Sequence, residues 1–250
     1  MVANERVRAA IYKAGLSVDE VCEALGKDRK TVERWINGHL PYRRNQHALA
    51  KLLGVDPSYL WAPTSVEQSR DLGMAEMLAI WPVRSLVPIG VWVELFERAV
   101  QHIDVLVFAG FWLSEDPAVR QVLAHKAKSG VRVRFLLGDP DSAAVQQRGE
   151  EEEIGTAISA KIANTIHNYR QVIQAPNTEF RLHNTTLYCS IYRSDDDMLV
   201  NTHLYGLPGH MTPLMRLRRV PGAELFSAYL DTFERVWATG TRLDARREVV

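Results

Sequence analysis

Ser17-Val18-Asp19-Glu20-Val21-Cys22-Glu23-Ala24-Leu25-Gly26-Lys27-Asp28-Arg29-Lys30-Thr31-Val32-Glu33-Arg34-Trp35-Ile36-Asn37-Gly38 is the stretch that decides how the N-terminal part of this chain folds. Ser17 and Glu20 have capping-box spacing: the hydroxyl accepts from the N–H three residues on, and the carboxylate reaches back to the N–H of the cap. Val21, Ala24 and Leu25 then form an apolar face, and Gly26 ends the helix because it adopts a left-handed C-cap without a Cβ clash. Asp28 caps a second helix through Thr31, Val32 and Trp35, which stops at Asn37-Gly38. Two short helices across a tight glycine-containing turn make a helix-turn-helix.

The flanking residues complete a small helical bundle. Asn4 to Ala14 carries Val7, Ala10, Ile11 and Ala14 on one face. After Pro41, Arg43 to Leu53 turns Leu49, Leu52 and Leu53 inward and ends at Gly54. Pro57 suits the first turn of a last short helix through Tyr59, Leu60 and Trp61. Residues 63–71 are polar and read as a linker, which divides the chain into domains at 1–62 and 72–250.

The 250 residues are 46% apolar and 24% charged, the proportions of an ordinary globular protein, and the net charge is zero. The charge is unevenly spread. Residues 1–62 hold ten basic and seven acidic side chains, a net of +3, which leaves −3 for the remainder. Such asymmetry accompanies a nucleic-acid-binding part. In a helix-turn-helix the N-terminal residues of the second helix reach base edges in the major groove. Here these are Arg29, Lys30 and Thr31, with Arg34 one turn on. Ser17, Arg43 and Arg44 are placed at helix starts suited to phosphate contact. Arg can bond guanine O6 and N7 in bidentate fashion, and Lys and Thr can reach bases or phosphates.

This part resembles the Xre family of lambda-repressor-like regulators. The likeness rests on residues 15–21, on residues 30–38 with Pro41, and on residues 49–55 with Tyr59-Leu60, and it covers nearly all of residues 4–62. Members often carry Gln just after the cap of the first motif helix, where this chain has Val18. The resemblance implies a double-stranded DNA operator as partner and a homodimer, because one such domain reads a half-site.

Beyond the linker, the apolar run Ile103–Phe108, the helical Pro117–Ser129 and the run Val131–Leu137 give strand, helix, strand, hence parallel pairing. A helix precedes them from Trp92 to His102. A helical stretch follows from Glu150 to Val172, with four acids, Glu150 to Glu153, placed to suit a helix start. Glu179–His183, Thr186–Tyr192 and Met198–Leu204 read as strands, the last two joined by Ser194-Asp195-Asp196-Asp197. These aspartates read as a solvated turn, and Arg216-Leu217-Arg218-Arg219 as a solvated face. Ala223–Trp237 is an amphipathic closing helix.

This second part resembles a phospholipase D-like domain over residues 89–141 and again from His183. Active members have His, then Lys two residues on, then Asp five beyond, to attack and hold a phosphoryl group. Here the positions are His183, Thr185 and Ser190, and Asn201-Thr202 stands for the Gly-Ser that follows. Without fixed positive charge, the transferring phosphoryl group is not stabilised. The expected fold is thus an all-α helix-turn-helix domain followed by an α/β phospholipase D-like domain with a mixed sheet. The expected function is a dimeric, sequence-specific transcriptional regulator whose second domain dimerises, senses a small molecule and is not an enzyme. His183, Thr185, Ser190, Asn201 and His203 are the candidate ligand-binding residues. The alternative is a DNA-targeted phosphodiesterase or nuclease centred on His183.

No cofactor or metal site is expected: His167 and His210 lack partner spacing. Cys22 and Cys189 read as buried free thiols in a reducing compartment. No run approaches a membrane span, so no membrane partner and a cytoplasmic location are expected.

Overall fold

The structure is a computed structural model that describes residues 4–243, with the side chains of Arg43, Ser58 and residues 62–69 outside the description. It divides into two compact units, residues 1–71 and 72–250.

In the first unit, α1 (Glu5–Lys13), α2 (Val18–Leu25), α3 (Arg29–Ile36) and α4 (Arg43–Leu53) surround one apolar core. Val21 and Val32 at 0% exposure, with Trp35 at 5%, join α2 and α3 to Val7, Leu49 and Leu60. The caps take the form the sequence dictates. Ser17 and Glu20 make the reciprocal box, and Gly26 is left-handed at φ 59°. The Asp28 side chain accepts from Thr31 N–H. Helix α5 (Pro57–Glu76) runs on through residues 63–71, where a linker is expected from polarity. Cys22 is half-buried rather than buried, and both cysteines are free thiols.

The second unit is an eight-stranded mixed sheet in the order β1-β7-β6-β5-β2-β3-β4-β8. β2 (His102–Leu106), β3 (Arg132–Gly138) and β4 (Thr178–His183) are parallel. α8 (Pro117–Lys128) makes the first crossover. α9 (Ala143–Glu151), α10 (Ala157–Asn168) and α11 (Arg170–Ile173) make the second. On the other side of β2, β5 (Cys189–Ser194), β6 (Asp197–Thr202), β7 (Leu214–Arg218) and β1 (Met77–Trp81) form an antiparallel meander. α6 (Gly90–Glu97) ends sooner than its apolar spacing suggests, and a short α7 (Phe111–Glu115) follows β2. α12 (Leu225–Thr239) closes the domain, and the two-residue β8 (Thr241–Arg242) pairs with β4.

Three readings of this unit change. The stretch expected to be one helix from Glu150 breaks, because Glu153 and Gly155 take positive φ of 57° and 52°. Glu150 and Glu151 therefore lie in the last turn of α9, at the end that disfavours acids; Glu151 and Glu152 are instead ion-paired with Arg148. The aspartate turn is not merely solvated either. The Asp195 carboxylate accepts N–H groups of Val100, Gln101 and His102 at 2.6–3.0 Å. The residues of the expected arginine face are paired in part, Arg216 with Asp197 and Arg219 with Asp196.

A buried ionic cluster fastens the sheet to α12. Asp104, fully buried, receives Arg134 and Arg193, each at 2.6 Å, and Arg134 also forks onto Glu234 of α12. Burial works against the charge on Arg134, but the Glu234 and Asp104 bonds outweigh it and raise its pKa. Among the described residues, no helix is long and apolar enough to cross a membrane.

Candidate functional site

Two regions carry the candidate residues, one in each unit. On α3 the exposed side chains differ in how they are held. Arg29 is committed: its guanidinium grips both Asp19 oxygens of α2 at 2.8 and 3.0 Å and Glu33 at 2.9 Å. It acts as a brace between the two helices rather than a free donor. Thr31 is half-buried, and its hydroxyl donates to Asp28 at 2.7 Å. The Ser17 hydroxyl is occupied by the Glu20 backbone and side chain. Lys30, Arg34 and Arg44 are exposed, and among the described residues none of the three makes an ion pair. Arg34 and Arg44 line one groove with Lys27, Thr31 and Tyr42. The Arg43 side chain lies outside the described residues.

In the second unit a cavity of about 370 Å³ opens where β2 meets β3 on one side and β5 on the other. Open α/β sheets bind ligands at such a point, beyond the carboxyl ends of the strands, because the connections there diverge. Val107 to Trp112, following β2, form one wall. Ser190 and Tyr192 of β5, Asn201 of β6 and His203 form another. The break between α9 and α10 lets Arg148, Glu152, Ile158 and Lys161 face the same space.

The cavity brings together three of the five residues expected from the phospholipase D resemblance and leaves out two. His183 is 2% exposed. Its Nε2–H donates to the Val107 carbonyl at 3.1 Å, and its Nδ1 accepts the Thr185 N–H at 3.3 Å. Both nitrogens are used within the protein, which fixes a neutral tautomer and leaves no lone pair for a ligand. Burial lowers its pKa further, against the two backbone bonds. A His183-centred site is therefore corrected to a structural histidine, and Thr185, which serves it, lies outside the cavity lining.

Ser190, Asn201 and His203 do meet. The Ser190 hydroxyl lies 3.0 Å from His203 Nε2, and His203 Nδ1 lies 3.2 Å from the Leu187 carbonyl. The carbonyl can only accept, so Nδ1 carries the proton and Nε2 accepts from Ser190. Burial, and then the positive field of Arg148, brings the His203 pKa down to about 4. Asn201 is buried, and its amide donates to Thr212 Oγ1 and the Pro213 carbonyl at 2.8 and 2.9 Å, which pins β6 to the rim.

Sequence reasoning missed the cations. Arg84, in the 3₁₀ turn Arg84–Leu86, is 8% exposed and lies 4.1 Å over the Trp112 ring. Arg148 donates to the Leu207 carbonyl at 2.9 Å besides its glutamates. The signal for Arg84 was a lone cation within the apolar stretch Trp81 to Val87. Among the described residues, no group of three or more His, Cys, Asp or Glu could hold a metal ion.

No family model matches the chain. Solved structures similar to it include TrmBL2, an archaeal chromatin protein with a novel mode of DNA binding, at 10% identity and TM-score 0.42 over 86% of this chain and 80% of that one. Nuc from Salmonella typhimurium, a phospholipase D family member, is similar at 13% identity and TM-score 0.37 over 62% of this chain and 90% of its own. Phosphatidylserine synthase from Haemophilus influenzae Rd KW20 is similar at 13% identity and TM-score 0.43 over 66% of this chain, which spans 39% of the synthase. The expectation of a chain without enzymatic activity is corrected here. That expectation rested on a lack of fixed positive charge, whereas Arg84, Arg148 and Lys161 line the cavity. The cavity also holds a hydroxyl–imidazole pair, the arrangement in which a base activates a nucleophile.

Proposed function

We propose that this chain is a sequence-specific DNA-binding regulator, in which an Xre-type helix-turn-helix reads an operator and the phospholipase D-like second domain binds a small ligand. The observation that carries the reading is the asymmetry of α3. Its inner face is locked by Val32, Trp35 and Ile36, while Lys30 and Arg34 stand exposed and, among the described residues, free of ion pairs. A rigid helix with uncommitted donors at its N-terminal half meets the demands of major-groove reading. Such a domain covers only a half-site, so the reading includes a homodimer held by the second domain.

Selection of bound sequences from a random duplex pool tests it. The reading expects an inverted repeat with half-sites about one helical turn apart. Recovery of sequences with no shared element overturns it.

A second reading, cleavage of a phosphodiester, is favoured by the Ser190–His203 pair. It expects hydrolysis of duplex DNA or a simple phosphodiester that His203→Ala abolishes and His183→Ala does not. An unchanged rate in His203→Ala refutes that site.

A further inference from the structure

Arg84 presents an electrostatic problem that the fold leaves open. Its side chain is more than nine-tenths buried, yet among the described residues no carboxylate lies within ion-pair distance of it. Only Nε is bonded, to the Gly209 carbonyl at 3.2 Å, while the ring face of Trp112 supports the guanidinium plane. The fields that reach it come from the Tyr192 phenol and then Glu152, and Glu152 is bonded to Arg148. Burial pulls the Arg84 pKa down. Burying a charge without a partner is expensive, so such groups are found where a partner arrives from outside. Among the described residues the two terminal nitrogens of Arg84 have no protein acceptor, and the side chain lines the cavity.

The rest of the lining is consistent with one class of guest. Arg148 is held by Glu151 and Glu152, which leaves Arg84 and Lys161 as lining cations with no ion pair among the described residues. Lys161 is exposed and, among the described residues, unpaired. Phe111, Trp112, Ile154 and Ile158 add apolar surface to the same lining. We propose that this cavity binds a small organic anion, a carboxylate or phosphate ester with an apolar body, whose charged end is taken by the free fork of Arg84 and by Lys161. A guanidinium fork matches either oxyanion in bidentate geometry, and the apolar wall selects the body attached to it. The inference rests on the reading of the second domain as a ligand-binding unit.

Calorimetric titration of the full chain with benzoate, phenyl phosphate, inorganic phosphate and the neutral benzamide tests it. Benzoate or phenyl phosphate binds at least tenfold more tightly than benzamide, and phenyl phosphate more tightly than inorganic phosphate. The stronger of the two organic anions identifies the oxyanion. Arg84→Gln weakens that binding by tenfold or more, as loss of a charged hydrogen bond requires. If Arg84→Gln does not fold by circular dichroism, Lys161→Gln, a change at an exposed position, carries the test with a loss of about threefold or more. No saturable binding of any anion at tens of millimolar, equal binding of benzamide, or unchanged affinity in the folded variant overturns the proposal. The same titrations in the presence of selected operator separate this site from the regulator reading. Anion binding that leaves DNA affinity unchanged supports the site and removes the sensing role, whereas DNA affinity that shifts in the wild type and less in Lys161→Gln supports both.

Discussion

His183 Nε2 donates to the carbonyl oxygen of Val107 across 3.1 Å, and this bond joins the end of β4 to the segment that follows β2. The residue that most suggests a nucleophile in the sequence is thus a strut between two neighbouring segments. His183→Ala removes the donor, leaves the Val107 carbonyl buried and unbonded, and opens a gap beside Phe108, whose ring lies 5.8 Å away. A loss of about 1–3 kcal/mol is expected, read as a lower urea midpoint at unchanged slope, with anion affinity at the cavity unaltered. Wild-type stability with lost binding would reverse the assignment.

The histidines also set the acid response. His203 falls to about 4 in the folded protein against an ordinary value near 6.5. The unfolded chain therefore takes up the proton first, and folding weakens as pH falls from about 6.5 to about 4, levelling below that. The loss from His203 is on the order of 3 kcal/mol, and His183, lowered in the same direction, adds to it. Thermal unfolding across this range checks the sign. His203→Gln flattens the curve between those limits, and a melting temperature that rises on acidification refutes the account.

On α3 the prediction separates neighbours of the same charge. Arg34→Ala and Lys30→Ala lower operator affinity by about 1–3 kcal/mol each if they contact bases, with the fold intact by circular dichroism. Arg29→Ala breaks an exposed brace to Asp19 and Glu33. It leaves stability close to that of the wild type, because exposed ion pairs contribute little, and leaves base preference at each operator position as in the wild type. Fluorescence anisotropy against single-base operator variants distinguishes the two behaviours.

Affinity for the operator falls linearly with salt on logarithmic axes, because phosphates neutralised by Lys and Arg release counterions. Arg44→Ala, at the start of α4, reduces the slope by about one unit without changing sequence preference. An unchanged slope places Arg44 off the backbone.

Asp104 is the test of the ionic cluster. Asp104→Ala strands Arg134 and Arg193 in the sheet, both at least nine-tenths buried. Breaking such a buried cluster from one side is expected to destabilise by about 3–5 kcal/mol. Equilibrium unfolding measures it, and a loss below about 1 kcal/mol shows that water or Glu234 compensates.

The N-terminal helices were legible because their ends are written locally: Ser17 with Glu20, Asp28 before Thr31, and Gly26 and Gly54 at the stops. The strands buried on both faces, β2 and β3, were legible as continuous apolar runs. Less visible were β1 and β7, which depend on each other from opposite ends of the domain and meet through an irregular register between Met77 and Ala79. The break after α9 was hidden because Glu153 takes a left-handed backbone that its side chain does not advertise. In the site, Ser190 and Asn201 reached the cavity lining from motif positions, and His203 reached it without one. His183 did not, since whether a strand-end histidine faces a cavity or a carbonyl depends on a neighbouring segment 76 residues away. Arg84, Arg148 and Lys161 come from three unrelated segments and share no local pattern.

That scattering has a kinetic meaning. The cavity draws its walls from positions between Arg84 and His210, so no fragment of the domain possesses it, and it exists only once the long-range strand pairings have closed. Closing such distant contacts is slow, because chain entropy is lost before the contacts form. An occupant bound only to the folded cavity is therefore expected to raise the free energy of global opening, read as slower amide exchange in β2, β5 and β6.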